Sequence, residues 1–397
     1  MEIKRNIYQN LLNWKKKSQE HILLLSGTRY VGKTYILKKF GQENFEHVTY
    51  INMVETSGKE FCRCLNINED AEKYDEFLRA LALYDINFVN DGKILVIIDE
   101  VQEYPILYNY IRMSMNQNRT YIICTGSYLD QATRVNFLQI SEKVESLGME
   151  SLSFQEFFNC LQENESNEVL FCEDKQHISI LEKMKIYYNL YQIIGGYPEI
   201  VITYLKDKDL EKCQRMIKKY TDTWVCESRR YLPYIRENSY VEKVFHILAL
   251  LMVQNKAVKQ ELFSGIESII GSDKEEVGLV IRTINFMEEI GVINFDTDEE
   301  KNQYYFADIG VANYYLSRTG ATRKEIKEIL LEMLVLKNTY NDQQYKEALE
   351  MIAEPISINQ FPRIKIDLRG MIEYAKTQEK KVVQLTDVEK RRYIHIC

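Results

Sequence analysis

Short, wholly apolar runs alternate along the first part of the chain with stretches whose apolar residues recur at helical spacing. Ile22 to Leu25 is one such run, and a glycine-bearing loop follows it. A run with no polar alternation is expected to be a parallel strand buried on both faces. Thr34 to Phe40 then predicts a helix. Further strands are expected at Val48 to Met53, Lys93 to Ile98 and Thr120 to Cys124, with helices at Asp70 to Leu83 and Pro105 to Met115. Strands alternating with helices predict an α/β domain over residues 1–150, a parallel sheet with helices on both faces.

The pattern changes near residue 150. Residues 151–238 predict a helical domain with a loop around Glu163 to Asn167. Residues 239–318 predict a winged helix, with helices at Val241 to Val253, near Val258 to Phe263, and at Asp273 to Ile290 behind Ser272 as N-cap. Strands at Val292 to Phe295 and Tyr304 to Phe306 would flank a polar turn as the wing. Residues 319–397 read as a small α+β domain, with strands near Ile364 to Leu368, Met371 to Tyr374 and Lys381 to Leu385. A chain of 397 residues exceeds what one hydrophobic core supports, in keeping with several domains.

Composition narrows the partners. The net charge of −8 disfavours a protein that wraps a nucleic-acid backbone. The basic clusters Lys15-Lys16-Lys17 and Lys390-Arg391-Arg392 are short and read as solvated faces. The eight cysteines form no C-x-x-C pair and the five histidines stand apart from them, so zinc-site spacing is absent. Free thiols imply a reducing compartment. No apolar signal segment follows Met1-Glu2-Ile3-Lys4-Arg5, and apolar runs such as Ile94 to Ile98 fall far short of the ~18 residues of a membrane span. The expected location is the cytoplasm, with no membrane partner.

The loop Gly27-Thr28-Arg29-Tyr30-Val31-Gly32-Lys33-Thr34, followed by Tyr35, meets the spacing G-x-x-x-x-G-K-[ST] between a predicted strand and a predicted helix. Backbone N–H groups must turn inward around phosphate oxygens, which takes glycines. The following helix aims its positive end at the same anion. Lys33 is expected to reach the β- and γ-phosphates, and the Thr34 hydroxyl to ligate Mg²⁺. The apolar strand Ile94 to Ile98 ends in Asp99-Glu100. Asp99 is expected to hold the metal and Glu100 to orient the attacking water. The fourth strand ends in Thr125-Gly126-Ser127, where Thr125 or Ser127 would sense the γ-phosphate. Neither the N-K-x-D string that reads guanine nor the Leu-Ser-Gly-Gly-Gln string of transporter ATPases is present, so ATP with Mg²⁺ is the expected ligand.

These residues resemble a family of prokaryotic AAA-type P-loop ATPases, akin to the archaeal-type ATPases, that join an ATPase domain to a winged helix and a restriction-endonuclease-like tail. Arg5 and Trp14 flank the opening helix much as in that family. Arg29 and Val31 match its G-x-R-x-V-G-K-T loop, Asp99-Glu100-Val101-Gln102-Glu103-Tyr104-Pro105 its D-E-V-Q-x-x-P, and Thr125-Gly126-Ser127 its T-G-S. Ser151-Leu152-Ser153-Phe154-Gln155-Glu156-Phe157 is similar to its P-L-S-F-x-E-F, with serine for proline. Gly195-Gly196-Tyr197-Pro198-Glu199 matches its G-G-x-P-E, and Tyr305-Phe306-Ala307-Asp308-Ile309-Gly310 resembles its late Y-x-x-D-x-G.

Two departures bear on function. Where the family carries Gly-Lys or Gly-Arg, this chain has Glu142-Lys143; the resemblance implies a basic residue facing the γ-phosphate at Lys143, without the glycine. In the tail, Glu332 and Asp367 would supply acids, but Gln384 and Thr386 stand where a nuclease needs Glu and Lys. The tail is thus expected to be a degenerate, inactive nuclease fold.

The expected function is Mg²⁺-dependent ATP hydrolysis driving a conformational switch on a protein client. Arg229-Arg230 fit either a surface charge pair or arginine fingers for a neighbour's ATP. The alternative is a DNA-binding or DNA-processing protein in which ATP is regulatory. Against it, the third helix of the expected winged helix carries Asp273, Glu275, Glu276, Glu288 and Glu289 against Lys274 and Arg282, which opposes docking on phosphates.

Overall fold

The computed structural model describes residues 2–17, 22–65, 73–114, 119–127, 144–164, 180–235, 239–296 and 302–337, with 364–366, 374, 378 and 394–396. Residues 1–342 pack as one compact unit and 343–397 as another.

The first unit is organised by a five-stranded sheet of β1 (Ile22–Ser26), β2 (His47–Asn52), β3 (Ile94–Asp99), β4 (Tyr121–Thr125) and β5 (Val144–Gly148). Its order is β2-β3-β4-β1-β5, and every pairing is parallel. Ile22, Leu24, Val96, Ile98, Ile122 and Cys124 join one buried cluster. Their neighbours Leu23, Leu25, Leu95, Ile97 and Ile123 are buried as well. Successive side chains of a strand point to opposite faces, so both faces of the sheet are covered. The helices α1 (Ile7–Lys17), α2 (Lys33–Asn44), α3 (Thr56–Cys64), α4 (Lys73–Tyr84) and α5 (Leu107–Ser114) accompany the strands. Trp14 of α1 is fully buried, edge-on to Tyr121 with ring centroids 5.5 Å apart.

The four expected strands lie within one residue of their predicted bounds. Strand β5 and helix α3 were not legible. The side chains of β5 are partly exposed along most of its length, as suits an edge strand, so it shows no apolar run. Helix α3 is short and polar, with only Gly58 and Phe61 buried.

Nine helices then follow among the described residues: α6 (Phe154–Asn164), α7 (Ile180–Ile194), α8 (Pro198–Asp207), α9 (Leu210–Tyr231), α10 (Ser239–Val253), α11 (Leu262–Ile270), α12 (Lys274–Glu289), α13 (Ile309–Leu316) and α14 (Arg323–Lys337). Strands β6 (Ile293–Phe295) and β7 (Tyr304–Phe306) pair antiparallel. Two expectations are corrected here. The helix placed near Val258 begins at Leu262, because Tyr304 N donates to Ala257 O and Lys259 N to Asn302 O, which holds Ala257 to Lys259 extended beside β7. The N-cap of α12 is Asp273, not Ser272; its Oδ1 accepts from the backbone N–H of Glu275 and Glu276.

In the second unit, β8 (Ile364–Ile366) and β9 (Ile394–Ile396) pair antiparallel. Gln378 N donates to Tyr374 O at 3.1 Å, a helical link at the end of a predicted strand. Asp367, Gln384, Thr386 and the strand expected at Lys381 to Leu385 lie outside the described residues.

Candidate functional site

The carboxyl ends of β1, β3 and β4 converge, and there the predicted residues meet. In an open parallel sheet this end is where ligands bind. The loop from β1 to α2 turns at Gly32, whose φ of 97° is left-handed and favours glycine. It places the N-terminus of α2, with its unsatisfied N–H groups, at the mouth of the loop. Thr28, Val31 and Lys33 are buried within it, and Tyr35 projects outward, 58% exposed.

Lys33 bonds within its own loop. Its Nζ donates back to Gly27 O at 2.6 Å and Thr28 O at 3.0 Å. Burial pushes its pKa down to about 8, against the pull of Glu100 and Asp99 in the other direction. Thr34 Oγ1 donates to Asp99 Oδ2 at 2.7 Å, so two residues far apart in sequence share one corner. Asp99 is buried. A buried carboxylate beside a hydroxyl fits a hard divalent cation taking oxygen ligands.

Glu100 follows with φ 53° and ψ 42°. Five non-glycine residues adopt positive φ in the described chain; two of them, Tyr30 at 72° and Glu100, stand at this site. Such conformations cost of order 1–3 kcal/mol and persist where the surroundings fix them. The turn points Glu100 into the site. Its carboxylate accepts from Gln102 Nε2 and, at 3.5 Å, from Ser127 Oγ. Thr125 stays in the sheet instead: it is fully buried, and its hydroxyl donates to Leu25 O at 2.8 Å. Lys143 lies outside the described residues.

Sequence reasoning named Arg5, Glu156 and Arg29 but not the contacts by which they hold the loop, and it missed Tyr220 and Glu227. Arg5 donates to Val31 O at 2.8 Å, to Glu150 O at 2.7 Å and to Glu156 Oε1 at 3.2 Å. Glu156 in turn caps its own helix: its Oε2 accepts from Ser153 N, and Ser153 Oγ accepts from Glu156 N, a capping box. Helix α9 lies against the loop from the other side. Arg29 pairs with Glu227 at 2.7 Å and stands 4.0 Å from Glu100. The Tyr30 ring stacks on Tyr220 with centroids 3.9 Å apart and planes within 10°. Tyr220 OH donates to Glu199 Oε2 at 2.6 Å. Arg230 spends both terminal nitrogens on Glu103. Apart from the capping box, these partners are long-range, and no local spacing announces them.

The late motifs meet as well. Asp308 accepts from Gly196 N, Gly310 N and Val311 N at 2.9, 2.9 and 3.2 Å. Leu152 N donates to Gly196 O at 2.8 Å, and Tyr191 OH donates to Leu152 O at 2.6 Å. A Cβ on Gly196 would stand 2.3 Å from Leu152 O, so only glycine fits. Between this knot and the loop opens a cavity of about 150 Å³, lined among others by Gly27, Thr28, Ser127, Tyr197, Glu288 and Glu289. The acids at the end of α12 thus border the loop.

Sheet order, loop and carboxylate pair together are those of the P-loop NTPase fold. Residues 19–158 match the family model of an AAA domain. Solved structures with similarity include a Walker-type ATPase of Pyrococcus abyssi, 14% identical, covering 79% of this chain and 96% of that one at a TM-score of 0.49. Cdc6p of Pyrobaculum aerophilum is 14% identical, covering 83% and 96% at 0.32. The RuvB Holliday junction branch migration motor of Thermotoga maritima is 12% identical, covering 77% and 92% at 0.34. No curated protein matches.

Proposed function

We propose that the chain is a Mg²⁺-dependent ATPase whose nucleotide loop is read by helix α9, so that ATP binding and hydrolysis drive a conformational switch. The observation that carries the reading is the corner where Thr34 Oγ1 meets Asp99 Oδ2 at 2.7 Å, with Lys33 above it and Glu100 turned in from the left-handed region.

Each residue has a definite task. Lys33 leaves the carbonyls of Gly27 and Thr28 for the β- and γ-phosphates, which replace a poor pair of acceptors with charged ones. The backbone N–H groups at the start of α2 hold the same anion. Mg²⁺, when bound beside Thr34 and Asp99, neutralises charge on the phosphate oxygens. Glu100 accepts a proton from the attacking water. Ser127, already hydrogen-bonded to Glu100, is the better placed γ-phosphate sensor, because the Thr125 hydroxyl is committed to Leu25 O. Arg29 lies between Glu100 and Glu227, so charge arriving at the γ-phosphate position competes for it with α9. Arg230 is occupied by Glu103 of the same chain, which favours a role at its own site over service to a neighbour.

Docking on nucleic acid is not part of this reading. The acidic end of α12 faces the cavity beside the loop, and among the described residues no helix is long and apolar enough to cross a membrane. The client is a protein in this reading. The test is Glu100→Gln. Removing the base is expected to lower ATP turnover by about 10²–10⁴-fold, while nucleotide affinity and thermal melting stay at the wild-type values. Turnover equal to wild type would remove Glu100 from the mechanism.

A further inference from the structure

We infer that Tyr50 is a positioning residue for the divalent cation: its hydroxyl fixes the Asp99 carboxylate in the orientation that Thr34 and the metal require. The inference rests on the ATPase reading above. Strands β2 and β3 pair in register, with Asn52 opposite Asp99 and Tyr50 opposite Ile97, so the long phenol of Tyr50 reaches along the sheet to the end of β3. Its hydroxyl donates to Asp99 Oδ2 at 2.8 Å. That is the oxygen which Thr34 Oγ1 reaches at 2.7 Å. The other oxygen, Oδ1, accepts from Glu100 N at 3.0 Å.

The three donors come from β2, from α2 and from the turn after β3, and together they stop the carboxylate from rotating. The ring itself is held from α2, where Lys38 Nζ lies over it at 3.8 Å from the centroid. Lys38 stands one helical turn after Thr34, so the segment that carries the metal-ligating hydroxyl also seats the tyrosine. Without the phenol hydroxyl, Oδ2 keeps only the Thr34 proton, and each cation that binds must first order the carboxylate. Groups that orient metal ligands from outside the coordination shell carry about 10–100-fold in affinity.

The experiment is binding of a fluorescent ATP analogue to wild type and Tyr50→Phe across a Mg²⁺ titration, with thermal melting of each apoprotein beside it. Phenylalanine keeps the half-buried ring and its contact with Lys38. The expected result is a rise of about tenfold or more in the Mg²⁺ concentration that half-saturates the metal-dependent gain in affinity. Binding without metal and the melting temperature stay unchanged, and Mn²⁺, which ligates more strongly, narrows the gap. Equal half-saturating Mg²⁺ in the two proteins overturns the inference and leaves the ATPase reading standing. A loss of equal size with and without metal also overturns it, since that marks a distorted loop. Nucleotide binding by wild type with no response to Mg²⁺ sinks both.

Discussion

Two regions of this molecule carry motif-like strings, and their polar groups are treated in opposite ways. At the end of the central strands the groups are held by exchangeable side-chain contacts and strained backbone. Lys33 rests on its own loop's carbonyls, Asp99 is a buried carboxylate reached by hydroxyls and one backbone N–H, and Tyr30 and Glu100 stand at positive φ. At the knot of Gly196, Leu152 and Asp308, the buried carboxylate takes three backbone donors and the packing is so close that a Cβ does not fit. A cluster held by side-chain hydroxyls and strained backbone can exchange those bonds for a ligand's. One closed by backbone donors is a joint. On the proposed reading, that difference separates a ligand site from architecture where the strings of letters do not.

The largest effect on folding is expected from breaking the joint. Asp308→Ala strips an N-cap and orphans a buried N–H, at a cost of about 3 kcal/mol, seen as a lower denaturant midpoint. Nucleotide affinity of the folded fraction should hold within about threefold. If the midpoint is unmoved and affinity collapses, the assignment of the two regions is reversed.

Next in size is the pH response of Lys33. With its pKa near 8 in the folded chain against an ordinary 10.5, the unfolded chain holds a proton between those values that the folded chain has released. Stability from this group therefore rises with pH across that window. Nucleotide affinity runs the other way, since only the charged amine meets phosphate. It should fall by nearly tenfold per unit above pH 8, about 1.4 kcal/mol each. Titration calorimetry near pH 9 in buffers of different ionisation enthalpy should show proton uptake on binding; a flat response contradicts the buried lysine. The smallest effect is expected at Tyr30→Gly. Losing the stack on Tyr220 costs about 1 kcal/mol, and relief of the positive φ returns about the same. A net change near zero in the melting curve supports strain at the loop, whereas a full loss of the stacking energy does not.

Much of this was legible in the sequence where the signal is local. The apolar runs of β1, β3 and β4 are buried on both faces and so read as strands. The loop spacing from Gly27 to Thr34 is a local requirement of phosphate binding. Asp99 and Glu100 show because a polar pair ends an apolar strand. Edge strand β5 and helix α3 did not show, having little buried surface to pattern them. The partners that fix the site were hidden for another reason. Arg5 reaches Val31, Tyr50 reaches Asp99 and Glu227 reaches Arg29 only after the chain has folded, and no spacing rule links such pairs. The order of motifs named Arg5, Glu156, Gly196 and Asp308 through family resemblance but said nothing of their contacts. Thr125 shows the converse: position picks it out, but not that its hydroxyl donates to Leu25 O within the sheet.

The most direct test of the central claim is Mg²⁺-dependent ATP binding and turnover measured side by side on wild type and Lys33→Ala. Wild type is expected to gain thermal stability with Mg²⁺–ATP, by about 2.7 kcal/mol at a hundred times Kd, and to release phosphate, while Lys33→Ala does neither. Wild type unaffected by Mg²⁺–ATP, or Lys33→Ala binding and hydrolysing as wild type does, would contradict a nucleotide site at this loop.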